Sequence, residues 1–297
     1  MNMTRTILRS LRIPFLILTP SNIFLGLATA LVTSEQISYL DFLLVLGGAL
    51  FAHVSVNTFN EYHDFRSGLD AKTTKTPFSG GSGALIDNPK AAEAVFSVAI
   101  ISLFLTVIIG FYFTFTLGIL IFPLGVVGVL IIITYTKWLN RYPFLCLVAP
   151  GIGFGPLMVV GTHVVLSGEY SMQVMWISLV PLYLTSNLLL LNQYPDIVAD
   201  RTVGRRHFPI VYGVNKSTRL YGIFVLAASG VIVTGIYTGL LPTLSVIGLI
   251  PMGISSVVFV GAIKYANSLQ KFIPFLGMNV IATVLAPVLL GLSIILG

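Results

Sequence analysis

The sequence predicts an all-α, polytopic membrane protein of about nine transmembrane helices, arranged as two four-helix halves plus one. Three observations carry this reading. Only 9% of the residues are charged and 56% are hydrophobic, against about 25% charged in soluble domains, so the chain cannot cover a water-facing surface. Apolar runs of about 20 residues, enough to cross a bilayer as a helix, recur from end to end. All the Lys and Arg residues fall on one set of alternate loops.

The first span, 13–33, follows Arg5, Arg9 and Arg12 and has no small-residue cleavage site, so it reads as a helix and not a cleaved signal. The second, 40–60, runs into the polar stretch NTFNEYHDFRSGLD, Asn57 to Asp70. Spans three and four are 92–115 and 117–136. The fifth, 144–167, carries Pro150 and Pro156, and the first carries Pro20, residues that can break a helix. The sixth, 173–192, leads into a second polar stretch, NQYPDIVADRTVGRR. Spans at 217–238, 242–262 and 273–296 complete the chain. No linker interrupts the series, and residues 1–297 read as a single domain.

With nine spans, one side holds the N-terminus and the loops after helices 2, 4, 6 and 8. Every Lys and Arg lies there, while the opposite loops carry only acids such as Glu35 and Glu169. Positive loops stay inside, which predicts a multi-pass cell-membrane protein with a cytoplasmic N-terminus. The net charge of +6 is then a consequence of topology, and no nucleic-acid partner is expected. Cys146 is the sole cysteine; it allows no intrachain disulfide and reads as a small buried hydrophobe.

The two polar stretches resemble each other. Asn60, Asp64 and Asp70 follow helix 2; Asn192, Asp196 and Asp200 follow helix 6, with Asp64 and Asp196 132 positions apart. Each has the form N-x-x-x-D with a further Asp downstream. Residues four apart share a helix face, so Asn60 and Asp64 can point one way, as can Asn192, Asp196 and Asp200. Converging carboxylates repel unless a cation lies between them. Oxygen donors of this kind suit Mg²⁺, which is commonly held by a few carboxylates and a substrate's phosphates. Arg66, Lys72 and Lys75 accompany the first cluster, and Arg201, Arg205 and Arg206 the second. Acids for a metal, cations for an anion and an apolar bundle below them point to a lipid diphosphate. The Gly-rich segment Thr76–Leu85 has two readings, a phosphate cradle of backbone N–H groups or a flexible connector.

At these residues the chain resembles the UbiA family of membrane prenyltransferases, which has nine transmembrane helices and paired N-x-x-x-D and D-x-x-x-D motifs. They stand here as Asn60-Glu61-Tyr62-His63-Asp64 and Asp196-Ile197-Val198-Ala199-Asp200. Within the family the segments NEYHDFRSGLD, GFGPLMVVGTHVV (Gly153–Val165) and YTKWLNR (Tyr135–Arg141) are most similar to the branch that prenylates 1,4-dihydroxy-2-naphthoate for menaquinone. Gln193 and Pro195 depart from that branch, which often has Asn and Arg there; Arg205 stands where Lys is common.

The resemblance implies Mg²⁺-dependent transfer of a polyprenyl group from its diphosphate to an aromatic acceptor. It assigns Asn60, Asp64, Asp196 and Asp200 to Mg²⁺, with Asp70 and Asn192 in support. Arg66, Lys75, Arg201 and Arg205 go to the diphosphate, with Lys137 or Arg141 completing the clamp. Tyr135 is placed near the allylic cation or the acceptor, and an Asp of either cluster is a candidate base. Phe111, Tyr112, Phe113 and Phe115 on helix 3 read first as packing or an interfacial belt. His53, His63, His163 and His207 share no ligand spacing and are expected to be unremarkable, although His63 lies inside the first motif. Other family acceptors, among them 4-hydroxybenzoate and a glyceryl phosphate ether, are the alternative. A transporter is a remoter one, since its site usually lies near mid-bilayer and these acids lie at one face.

Overall fold

The computed structural model describes residues 2–297. Among these every regular element is helical. The apolar helices are α1 Ile13–Thr33, α2 Tyr39–Arg66, α3 Pro89–Leu117, α4 Ile119–Tyr135, α5 Pro143–Ser167, α6 Met172–Asn192, α7 Phe208–Tyr237, α8 Thr243–Tyr265 and α9 Leu269–Leu296. All but α4 are long and apolar enough to cross a membrane; α4 is shorter. An amphipathic surface helix, Met3–Ser10, precedes them and is capped by Asn2, whose side chain accepts from Thr4 N–H.

The expected spans agree with these to within a few residues except at two polar ends. Helix α2 runs past residue 60 to Arg66, and Ser67 N–H still donates to His63 O at 2.9 Å. Its motif is therefore on a helix. Helix α7 starts at Phe208, before the expected 217. Its first turn, with Pro in the first turn, is set off by Gly213 at φ 81°, ψ 163°, a conformation almost confined to glycine.

Helices α2, α3 and α4 pack together, as do α5, α6 and α7; α9 lies against α1, α6 and α8, and α1 also lies along α5. Apolar burial cannot drive helix association in lipid, so close approach at small residues matters. Gly151 and Gly155, one turn apart on α5, show it: a Cβ there would come within 2.4 Å of Leu182 O and 2.5 Å of Ser178 O on α6. Pro150 and Pro156 do not break α5. They accompany a π-helical stretch, Gly153–Val160, whose wider turn accommodates the missing N–H groups.

The main apolar cluster draws most of its residues from α1 and α5–α9, with Leu25, Leu184, Tyr221, Leu276 and Leu290 fully buried, and reaches Val45, Phe113 and Ile121 of α2–α4. The second half also holds a polar knot: Tyr221 OH donates to Asn279 Oδ1 at 2.9 Å, and Asn187 Nδ2 to Tyr221 O at 3.0 Å. The first half is packed differently. It leaves an apolar cavity of about 620 Å³ among α1–α5, lined by residues such as Ile23, Val45, Phe113 and Leu124.

Candidate active site

A second cavity, about 210 Å³, lies where the two acidic motifs meet. Asn60, Asp64, Asp70, Asn192, Asp196, Asp200, Arg205 and Tyr135 all line this basin. The basin and the apolar cavity share walls: Arg12, His53, Asn57, Asn60, Tyr135 and Phe154 line both.

Helix α2 supplies the first cluster as its spacing suggests. Asn60 and Asp64 lie one turn apart, and the chain then turns so that Asp70, only 4% exposed, joins them. The second cluster differs from the expected single helical face. Helix α6 ends at Asn192, and Asp196 is the N-cap of a separate short helix, Ile197–Thr202, which carries Asp200. Pro195 lies in the break, where its ring and missing N–H oppose a continuing helix.

Arg205 bridges the clusters. Its guanidinium donates to Asp64 Oδ1 and, at 2.9 Å, to Asp200 Oδ1. His207 Nε2 donates to the other oxygen of Asp200 at 2.8 Å. Both oxygens of Asp200 are therefore engaged by the chain itself. Arg12 performs a similar service on the opposite side. It donates to Glu61 Oε1 through Nε at 2.7 Å and to Asn60 Oδ1 at 3.1 Å. Glu61 is fully buried.

The Gly-rich segment crosses the basin. Gly80 N–H donates to Asp196 Oδ2 at 3.0 Å, and Ser82 gives its N–H and hydroxyl to Glu61 at 2.8 and 2.6 Å. Gly80 and Gly81 take φ of 79° and 70°. A Cβ on Gly81 would fall 2.8 Å from Asp70 Oδ1. Of its two readings the segment fits neither fully: its amides face carboxylates.

Asp70 Oδ2, Asn192 Oδ1 and Asp196 Oδ1 are buried in the basin without a partner in the chain, as are the hydroxyls of Thr136 and Thr185. Burial, then the charges of Glu61 and Asp64, push the Asp70 carboxyl up to about 7. Burial, then Asp200, does the same for Asp196, also to about 7. Buried acceptors that lack donors and hold protons this firmly are suited to a hard cation. Among the described residues no three His, Cys, Asp or Glu side chains converge closely enough to hold one alone. The donor set fits an ion that brings further oxygen ligands with it, as Mg²⁺ does with phosphates.

Five expected cations stand outside the lining: Arg66, Lys75, Lys137, Arg141 and Arg201 are exposed. Arg66 lies over the Tyr62 ring at 5.8 Å from its centroid. Tyr135 does reach the basin, its hydroxyl 3.9 Å from Cys146 Sγ. Sequence reasoning passed over Arg12, Glu61 and His207. Arg12 looked like one more topological charge, Glu61 lay unremarked inside the first motif, and His207 has no spacing signal.

The fold and this site define a polytopic membrane protein with an oxygen-rich, acidic basin at one end of its bundle. The chain belongs to the UbiA prenyltransferase family, whose sequence pattern matches residues 21–290. It is 26% identical over 207 residues to a 1,4-dihydroxy-2-naphthoate octaprenyltransferase of Bacillus subtilis (strain 168); the match covers 67% of this chain and 65% of that relative. The fold is also similar to solved structures. An apo UbiA homolog from Aeropyrum pernix K1 matches with a TM-score of 0.65 at 15% identity, covering 99% of this chain and 98% of the other. A UbiA homolog from Archaeoglobus fulgidus bound to DMAPP and Mg²⁺ matches with a TM-score of 0.59 at 12% identity, over 98% and 99%.

Proposed function

We infer that the protein transfers a polyprenyl group from polyprenyl diphosphate to an aromatic acceptor in a Mg²⁺-dependent reaction, and that the acceptor is 1,4-dihydroxy-2-naphthoate, as in menaquinone biosynthesis. The observation that carries this is the shared wall between an acidic basin and an apolar cavity. A molecule with an anionic head and a long hydrocarbon tail fits both at once. The similarity to the naphthoate octaprenyltransferase and the Mg²⁺ and DMAPP bound to an archaeal homolog support the acceptor and the donor chemistry respectively.

Asp70, Asp196 and Asn192 would hold the metal through their unpartnered oxygens, with Asn60 and Asp64 beside them. Mg²⁺ supplies charge neutralisation for the departing diphosphate. The allylic C–O bond breaks and its electron pair leaves with the diphosphate. Arg12 and Arg205 are the cations nearest that charge, already aimed and partly desolvated. The apolar cavity and the Tyr135 ring shield the allylic cation from water. A ring carbon of the acceptor gives its π pair to the new C–C bond, and aromaticity returns when that carbon loses its proton or, for a carboxylated carbon, carbon dioxide. Arg66, Lys75, Lys137, Arg141 and Arg201 serve as the outer electrostatic rim that steers the diphosphate inward. The charge asymmetry of the loops supports a cytoplasmic N-terminus and a basin opening on that side.

The test is prenyl transfer in purified membranes with labelled polyprenyl diphosphate, Mg²⁺ and a panel of aromatic acceptors. Product that forms with dihydroxynaphthoate and disappears in Asp64→Ala and Asp196→Ala is the expected result. Equal product from wild type and both variants would overturn the assignment of the basin.

A further inference from the structure

The surface helix Met3–Ser10 presents two unlike faces. On the inner one Thr6 and Ser10 are buried, and half-buried Ile7 packs on the small cluster of Leu85, Ala91, Ala92 and Val95. Arg5 and Leu8, three residues apart, fall on the other side of the helix and are exposed, as is Met3 at its start. Arg5 enters no ion pair among the described residues. The helix is joined to α1 through Arg12, whose backbone is left-handed at φ 53°, ψ 50°. Among the described residues no other non-glycine has a positive φ.

The inner face is tied to the Gly-rich segment that crosses the basin. Arg9 Nη1 donates to Asp87 Oδ2 at 2.7 Å and Nη2 to Ser82 O at 2.8 Å, while Asn88 Nδ2 donates to Thr6 Oγ1 at 3.1 Å. Ser82 in turn holds Glu61, which Arg12 holds from the other side. Contacts therefore run without a gap from the surface helix to the basin wall. Their outer link is weak. Arg9 and Asp87 are 35% and 46% exposed, and an ion pair so open to solvent contributes little. The attraction of one Arg or Lys to an anionic bilayer surface is of the same order, so a bilayer has the strength to tip this balance.

The outer face has the chemistry of such a bilayer surface. Exposed apolar Ile86 and exposed Lys90 lie on the two short turns that pack against the helix. They add one apolar and one cationic side chain to Met3, Leu8 and Arg5. The face also continues into the bundle's own apolar exterior, since Ile13 and Ile17 at the start of α1 are exposed. Apolar side chains interleaved with cations, at the rim of a membrane bundle, fit the boundary where acyl chains meet acidic headgroups. Resting on the transfer reading above for its effect on turnover, we propose that this face docks on anionic phospholipid headgroups of the leaflet beside the basin, and that docking holds the Thr76–Leu85 segment closed across it.

The test uses the full chain in nanodiscs of phosphatidylcholine, with or without phosphatidylglycerol. Two readouts are taken: the rate of limited proteolysis within Thr76–Leu85, with no substrate present, and prenyl transfer at saturating donor. Phosphatidylglycerol should slow cleavage of the wild-type segment about fivefold, the effect of one well-placed cation, and should raise turnover. The double variant Arg5→Gln, Leu8→Gln should lose most of both responses. Its two positions are exposed, so the fold is retained. Lys271→Gln removes the same charge from the start of α9 and should respond as wild type does. Wild-type cleavage that ignores phosphatidylglycerol would overturn the proposal, as would equal responses in wild type and the double variant. Equal loss in the double variant and Lys271→Gln would overturn it too, by showing a general charge effect. Failure of the transfer reading looks different: no lipid mixture would yield prenylated product, while the proteolysis comparison would still report on docking.

Discussion

Arg205 and Asp64 are 141 positions apart in the chain, yet the guanidinium of one is hydrogen-bonded to the carboxylate of the other. The same guanidinium holds Asp200, so one side chain joins the acidic clusters of both halves. Arg205→Ala would leave two buried carboxylates facing each other, a loss of about 3–5 kcal/mol when a buried pair is broken from one side. A clear drop in melting temperature in detergent is expected, together with lost activity. Arg205→Lys should be intermediate, since a lysine supplies charge but no planar fork.

Metal binding should depend on pH between 6 and 8. Asp70 and Asp196 hold their protons up to about 7, and a cation must displace them. Below pH 7 the Mg²⁺ concentration for half-maximal activity should rise, roughly tenfold per pH unit for each carboxylate that must ionise. Stability of the metal-free protein should run the other way. Folded-state values raised above the ordinary carboxylate range contribute stability that is full below about pH 4 and lost as pH climbs through about 7. In EDTA the melting temperature should therefore be higher at pH 6 than at pH 8, and Mg²⁺ should raise it most at pH 8.

Gly81→Ala should damage metal use specifically. At φ 70° an alanine is strained, and its Cβ would fall 2.8 Å from Asp70 Oδ1; the backbone term alone is about 1–3 kcal/mol. The Mg²⁺ activation constant should increase several-fold while the acceptor KM changes little. Equal changes in both would point to general loosening of the segment.

Arg12→Ala removes the cation beside Glu61, a carboxylate with no exposed surface. An uncompensated buried charge again costs about 3–5 kcal/mol. Because Glu61 also anchors Ser82, the Thr76–Leu85 segment should become susceptible to limited proteolysis. Arg12→Ala with Glu61→Gln should recover much of that resistance, because the substituted amide needs no counter-charge.

Val45 lines the apolar cavity at 9% exposure. Val45→Phe would fill part of its roughly 620 Å³. Long polyprenyl diphosphates should show a raised KM, whereas a ten-carbon donor should be used normally. The readout is a donor-length series on both proteins.

Much of the bundle was legible because bilayer thickness dictates helix length. The motifs were legible because Asn60 and Asp64 need only helical periodicity to meet. What could not be read was set by tertiary contact. Pro195 signals a break after α6, but not that Asp196 would turn back toward Gly80. Arg12 bears the same charge as Arg5, and only the fold separates a half-buried partner of Glu61 from an exposed residue. Arg66 and Lys75 follow the first motif closely in sequence, but both are exposed and outside the basin's lining, Arg66 lying over the Tyr62 ring. His207 gains its meaning from Asp200, seven positions earlier, through a short helix that no periodic pattern announces.

The shared wall between basin and apolar cavity also determines how such a protein should be assayed. A donor lodged head in one and tail in the other never has to leave its leaflet. Encounter then takes place in two dimensions, and the concentration that governs it is a mole fraction among lipids. Diluting the donor with inert phospholipid at fixed bulk concentration should slow turnover in proportion, as surface-dilution kinetics requires. The prenylated product would remain in the same leaflet, available to whatever lipid-embedded enzyme acts on it next.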